Sequence, residues 1–404
     1  MRIRTYNVGF GDFFIITKGS DSLVCDCGSV SKPAIEMEKI VSGAKKSILD
    51  SSLVKKALIT HFHSDHISGF KQLSKKHSKY FDEVYIPYLT TTDRKTGRKV
   101  LLEAAFFMYL VLDKKTLSHV LAKNIIKSIE LCLSLSSSNK VRLLSEGDSF
   151  NIGSRKFKVL WPRKVIDFPS VLVSKLEEVE KAFRGSEFLA LKDNFISLFA
   201  ELTSDLSGNA TRAHMETIYD KMTKVLEKAS DTEILTRKLI NDVRSILSKG
   251  RNTYTLFSRS NNSTSIVFES IGCIDSVLMT GDIEKDTTDL IKFSLPKYWV
   301  VKAPHHGTEN HYSLNLPLGH NILISSEKHK KYGKISTAYQ KYTQKVCTCD
   351  NKNCDCAVPC MLGTCLTNPS FGHCDLSLEF GIKNKLKLDA RELIGVDMGS
   401  GLYS

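Results

Sequence analysis

The sequence predicts an α/β fold in which helices flank sheets and two helical blocks interrupt the strand order. Three observations predict it. Strand-type alternation dominates both ends of the 404-residue chain. Two middle stretches, 95–137 and 170–249, repeat their apolar residues at helical spacing. Several apolar strand segments run straight into histidine or aspartate, and strand ends are where layered α/β sheets place functional groups. The composition, 42% hydrophobic and 25% charged, belongs to a globular chain and excludes a disordered or fibrous one. A chain this long buries a core without disulfides.

The elements follow in order. Residues 3–8, 13–17 and 22–26 are strands, with Gly9-Phe10-Gly11-Asp12 and a Gly19-Ser20-Asp21 turn between them. Pro33 suits the first turn of a helix over 33–51, with Ile35, Met37, Ile40, Val41 and Ile48 as its apolar positions. Residues 54–60 and 84–87 are buried strands. In 95–137 the apolar stripe runs through Leu117, Val120, Leu121, Ile125 and Ile129. In 170–249 it runs through Ile218, Met222, Val225 and Leu226, then Leu235, Leu239, Val243, Ile246 and Leu247. Strands return at 141–144, 150–152 and 157–161, and after Gly250 at 265–268, 276–280, 298–303 and 321–324. No repeat occurs at solenoid spacing. The expected organisation is one domain with insertions. Its core is 1–94, 141–169 and 251–345, its helical insertions 95–140 and 170–250. A Cys-rich insertion, 346–375, and a C-terminal strand and tail, 376–404, complete it.

The chain carries 57 Lys+Arg against 44 Asp+Glu, a net charge of +13 that suits an anionic partner such as nucleic acid. Its first residues read as a strand and a glycine turn, not as a targeting signal. The longest apolar stretch, 100–112, is interrupted by Glu103 and falls short of the roughly 20 residues a membrane span needs. A soluble, cytoplasmic protein without membrane contact is expected.

The strongest signal is His61-Phe62-His63-Ser64-Asp65-His66, directly after a buried strand. Three of the chain's 12 histidines and a carboxylate fall within six residues, which is too dense for an ordinary polar turn. Imidazole nitrogen and carboxylate oxygen are the donors that borderline divalent ions prefer. Leu278-Met279-Thr280-Gly281-Asp282 sets another carboxylate after an apolar strand; alone, it reads as a turn aspartate. Ala303-Pro304-His305-His306-Gly307 adds two histidines after a third strand.

Together these segments resemble the signature of the metallo-β-lactamase fold. The chain is most similar to its ComEC-like branch, named for the hydrolase domain of the competence DNA-uptake protein. The likeness extends to Asn7-Val8-Gly9-Phe10-Gly11-Asp12, Asp26, the stretch 147–162, the Asn-Asn-x-Ser-like strand start at 261–265, Asp282 and Pro304-His305-His306-Gly307. It covers roughly 1–90, 141–165 and 259–335. It implies a four-layer αββα sandwich with two divalent metal ions at one edge, zinc or manganese. His61 and His63 would hold one ion. Asp65 and His66 would hold the other, with His305 or His306, and Asp282 would bridge the two. Asp65, His66 and Asp282 would serve catalysis through a metal-activated water. Asp26, Asp12 and Asn262 would stand behind the ligands. Many members of the fold add a histidine to the first ion; here that stretch holds Asn261 and Asn262, as in the ComEC-like branch. A weak, water-rich first site follows, which leans towards manganese.

The substrate is less legible. Lys302, Lys330, Lys331 and Lys334 are candidate phosphate contacts, and the lysines and tyrosines of 327–345 suit either a nucleic-acid strand or a solvated face. Cys347, Cys349, Cys354, Cys356, Cys360, Cys365 and Cys374, seven of the 11 cysteines, are candidate ligands of one structural zinc. Free thiols or disulfides remain open. The helical blocks are scaffold or a surface for a protein partner. The expectation is a soluble metal-dependent hydrolase, a phosphodiesterase or nuclease acting on DNA; an effector role in antiviral defence fits a nuclease lacking an uptake channel. The competing readings are a hydrolase of a small ester, cyclic nucleotide or lactone, and a non-catalytic partner-binding module with a structural metal.

Overall fold

In the first sheet, β1 (Arg2–Tyr6), β2 (Phe13–Lys18), β3 (Asp21–Cys27), β4 (Val54–Leu58), β5 (Glu83–Pro87) and β6 (Val141–Leu144) lie side by side in chain order. The second holds β7 (Ser149–Ile152), β8 (Arg155–Trp161), β9 (Val267–Ser270), β10 (Val277–Met279), β11 (Lys297–Lys302), β12 (Leu318–Ile324) and β13 (Gln344–Cys347), also in chain order. A last strand, β14 (His373–Ser377), returns to pair antiparallel with β1. Both sheets change from antiparallel to parallel pairing part-way across: from β3 onward in the first, from β10 onward in the second. This computed structural model describes residues 1–88, 98–138, 140–166, 168–184, 186–206, 211–231, 235–248, 253–272, 275–326, 334–342, 344–348 and 373–377.

Strand periodicity explains the layering. Side chains of β2 alternate: Phe14 and Ile16 enter the core between the sheets, while Phe13 and Ile15 point to the opposite face. The inter-sheet core joins Leu23, Leu58 and Tyr85 of the first sheet to Phe157, Phe268, Met279 and Val300 of the second. Strands buried on both faces read as apolar runs rather than alternating ones.

The outer face of the first sheet carries a thick helical layer. It comprises α1 (Ala34–Ser47), α2 (Ser64–Lys76), α3 (Arg98–Val111), α4 (Leu117–Ile126), α5 (Ser128–Leu135), α6 (Ser170–Ala182), α7 (Glu187–Leu206), α8 (Arg212–Ala229), α9 (Arg237–Ser248) and α10 (Thr253–Asn262). Over the second sheet the described residues supply only the short α11 (Lys285–Thr288) and 3₁₀ turns, with Tyr339 and Tyr342 packed on Val301 and Ile322. The protein is thus an α/β protein of mixed sheets and many helices, consistent with a metallo-β-lactamase fold. No helix among the described residues is long and apolar enough to cross a membrane.

Two details differ from the sequence reading. Leu117 and Ile35, expected on apolar stripes, are 85% and 70% exposed, because each sits in the first turn of its helix, short of the packed face. Residues 261 and 262, expected at a strand start, instead end the helix α10, and the strand begins at Val267; α10 packs on α3, α4, α6 and α9. It brings Asn261 and Asn262 to the site from a helix end.

Candidate metal centre

The site forms where parallel strands of both sheets end. Asp26, next to last in β3, has φ 53°, a left-handed conformation that aspartate tolerates better than most residues. Its Oδ1 accepts the Thr60 amide at 2.7 Å, and its Oδ2 accepts the Thr60 hydroxyl at 2.7 Å. The same Oδ2 lies 2.9 Å from His66 Nδ1. One carboxylate therefore ties β3, the exit of β4 and the start of α2. With Nδ1–H donated to Asp26, the Nε2 lone pair of His66 is left to face the cluster.

Two glycines let the first loop lie against this turn. A Cβ on Gly28 would sit 2.5 Å from the Asp65 carbonyl carbon, and one on Gly11 would sit 2.3 Å from the Gly28 oxygen. Asp12 N donates to Asp65 O at 3.0 Å across the contact.

Four donors converge there: Asp65, His66, Asp282 and His306. His66 Nε2 and His306 Nε2 each lie 3.1 Å from Asp282 Oδ2. Asp65 Oδ2 is 3.2 Å from His306 Nε2 and 3.9 Å from His66 Nε2. A tetrahedral ion with ligands at about 2.0–2.1 Å requires donor separations of about 3.3–3.4 Å, which these distances bracket. His66 Nε2 is buried and has no hydrogen-bond partner among the described residues, which suits an atom aimed at the cluster centre. The donor set fits a divalent cation. Asp65, with 13% of its side chain exposed against 3% or less for the other three, marks the side open to solvent.

The electrostatics agree. Burial opposes a charged His66, but Asp282, Asp26 and Asp65 overcome it and hold the imidazolium well above its ordinary pKa. Asp282 and Asp12 do the same for His306. Burial likewise opposes ionisation of Asp282, yet His306, Lys302 and His66 keep it ionised well below the usual carboxylate range. A cation at this point would satisfy the same carboxylates that otherwise favour charged His66 and His306.

His61 and His63 form a second grouping beside the first. His61 Nε2 and His63 Nδ1 are 3.0 Å apart, Thr60 Oγ1 is 3.0 Å from His61 Nδ1, and Ser258 Oγ is 2.9 Å from His63 Nε2. Burial, with His66 and His63 nearby, holds His61 neutral. An amide also approaches: Asn261 Nδ2 is 3.4 Å from His63 Nδ1. The Oδ1 atoms of both Asn261 and Asn262 are buried without a hydrogen-bond partner among the described residues.

His305 and His306 take consecutive left-handed conformations, φ 46° and 57°, and this strained turn sends the two rings apart. His306 joins the four-donor cluster, its Nδ1 held by Ser325 O at 2.9 Å. His305, the alternative ligand, lies with Glu284 and His311. That trio is not arranged to share an ion. The His305 and His311 rings stack with centroids 3.6 Å apart and planes 14° apart, so no point lies in both ring planes at bonding distance. Burial pushes His305 down to about 3, leaving it neutral.

Lys302 is a correction to the sequence reading. Rather than reaching for substrate, its side chain is 1% exposed and its ammonium uses all three donors inward: Asp12 Oδ2 at 2.6 Å, Gly281 O at 2.7 Å and Asp282 Oδ1 at 2.9 Å. Lys334 is exposed, and its carbonyl accepts from Glu309 N. Lys330 and Lys331 lie outside the described residues, as do Cys349, Cys354, Cys356, Cys360 and Cys365. Cys347 is buried at the end of β13. Cys374 sits in β14 opposite Thr5.

Two contacts come from the helical layer and were missed. Asn124 of α4 donates from Nδ2 to Phe62 O at 2.9 Å, inside the His61–His66 loop, while Lys71 Nζ donates to its Oδ1. Ser258 of α10 braces His63. Replacing Asn124 with alanine should leave the buried Phe62 carbonyl unpaired and cost about 1–3 kcal/mol. Urea denaturation checks the stability, and metal titration should show weakened binding.

Residues 6–80 match the model of the metallo-β-lactamase superfamily. No curated protein shows a significant sequence match. A crystal structure of the metallo-β-lactamase SMB-1 bound to 2-mercaptoethanesulfonate aligns at 14% identity over 57% of this chain and 96% of that chain, with a TM-score of 0.21. The superfamily match runs from the last residue of β1 to just past α2 and so takes in Asp12, Asp26, His61, His63, Asp65 and His66; over these residues the chain carries the metallo-β-lactamase superfamily's pattern.

Proposed function

We propose that this protein is a metal-dependent hydrolase that cleaves phosphodiester bonds, with DNA as its substrate. The observation that carries the hydrolase reading is the convergence of Asp65, His66, Asp282 and His306 on one point at the strand ends of two sheets. Divalent ions held at such a site lower the pKa of water towards neutrality and offset charge on phosphoryl oxygens.

The chain's own residues supply the rest. Asp65, ionised and partly exposed, is placed to orient the attacking water and draw on its proton. Asp26 fixes the His66 tautomer, Ser258 fixes His63, and Ser325 O fixes His306. Arg259, half-exposed on the helix that carries Ser258 and Asn262, offers a guanidinium for a phosphate oxygen while its Nε holds Glu284 at 3.2 Å. The net charge of +13 supports an anionic polymer as substrate.

The test is cleavage of single-stranded, double-stranded and circular DNA, beside a small phosphodiester and a lactone, with Mn²⁺, Mg²⁺ or Zn²⁺. Wild type should cut DNA, and Asp65→Ala and His61→Ala should not. Turnover of the lactone alone would overturn the phosphodiester reading.

A further inference from the structure

We infer that Lys302 makes the two metal positions unequal: by holding Asp282 through Oδ1, it leaves one tight site at Asp65, His66, Asp282 and His306 and one weak site at His61 and His63. The inference rests on the metal-hydrolase reading and concerns the stoichiometry of that same centre.

A carboxylate that bridges two cations with both oxygens must present both of them. Asp282 does not. Its Oδ2 faces His66 and His306 at 3.1 Å each, and its Oδ1 is hydrogen-bonded to the Lys302 ammonium at 2.9 Å. That ammonium cannot swing away cheaply. Its other two donors are committed to Asp12 and Gly281, its side chain is buried, and leaving would strand two buried carboxylates. Lys302 thus acts as a built-in cation on the oxygen that two-oxygen bridging would need for a second ion.

The other donors point the same way. The position at Asp65, His66, Asp282 and His306 has four side-chain donors, two of them anionic. The position at His61 and His63 has two neutral imidazoles and, where a third histidine would complete it, Asn261 and Asn262. Their unpaired Oδ1 atoms suit water around an ion better than an ion held directly. With Oδ1 held by Lys302, an ion there would have at most Asp282 Oδ2 to share with its neighbour. Filling is therefore ordered, and the second ion enters at high metal concentration or with an anionic ligand that completes its coordination.

The test is titration of the metal-free protein with Mn²⁺, followed by calorimetry and by electron paramagnetic resonance. The expected result is one tight ion per chain with the spectrum of an isolated Mn²⁺, and spin-coupled features only after a distinctly weaker second step. In Lys302→Met, which frees Oδ1 and removes a positive charge, the second step should tighten by about 10–100-fold. Lys302→Gln serves the same purpose where the methionine variant does not fold. Two ions of equal affinity in wild type, or a second step unmoved by either variant, would overturn the inference and leave the hydrolase reading standing. No Mn²⁺ or Zn²⁺ bound at all would overturn the hydrolase reading itself.

Discussion

Asp282→Asn should abolish hydrolysis and empty the principal metal position while leaving the fold recognisable. The substitution keeps the shape of the side chain and removes the one anion that both His66 Nε2 and His306 Nε2 face at 3.1 Å. Outer-sphere changes at metal sites cost about 10–100-fold in affinity or activity, so loss of a direct donor should exceed the top of that range. The same change reads out without metal. In a chelator, Asp282 is the counter-charge of Lys302, His66 and His306, and breaking a buried pair from one side costs about 3–5 kcal/mol. Urea denaturation of the metal-free variant should show that loss. A variant that still binds zinc or manganese with wild-type affinity would remove Asp282 from the site.

Asp26→Asn should act one step back. The amide can still accept the Thr60 N–H through oxygen, but its NH₂ group cannot accept from His66 Nδ1–H. His66 then loses the partner that turns its Nε2 lone pair towards the cluster. Metal affinity should fall by about 10–100-fold with the ligands themselves intact. Calorimetry on the folded variant measures the fall. An unchanged affinity would mean that packing alone orients His66.

The parts of the site that are contiguous in sequence were readable there. His61 to His66 announce themselves because a helix start follows a strand end within six residues, and Asp282 and His306 because each follows an apolar strand. Which neighbour of the His305–His306 pair joins the cluster was not readable. It depends on two successive left-handed residues, and neither is glycine. Lys302 misled for a related reason: a lysine at a strand end looks like a surface cation until Asp12, Asp282 and the Gly281 carbonyl are seen to meet its three donors. The α10 segment, Thr253–Asn262, is rich in Thr, Ser and Asn, all poor to middling helix formers. It is helical because Phe257 packs into the helical layer, and that tertiary reason left Ser258 invisible. Asn124 was hidden differently. It belongs to a helical block with no counterpart in the resemblance, and only the fold brings α4 against Phe62. The two-sheet core was more legible, since apolar runs such as 13–17 and 298–303 have few other uses.

The central claim is that Asp65, His66, Asp282 and His306 hold a catalytic cation. Anomalous diffraction from crystals loaded with Zn²⁺ or Mn²⁺ tests it most directly. The strongest anomalous peak should lie among Asp65 Oδ2, His66 Nε2, Asp282 Oδ2 and His306 Nε2, at bonding distance from all four. A strongest peak elsewhere in the chain, with none among these atoms, would contradict it.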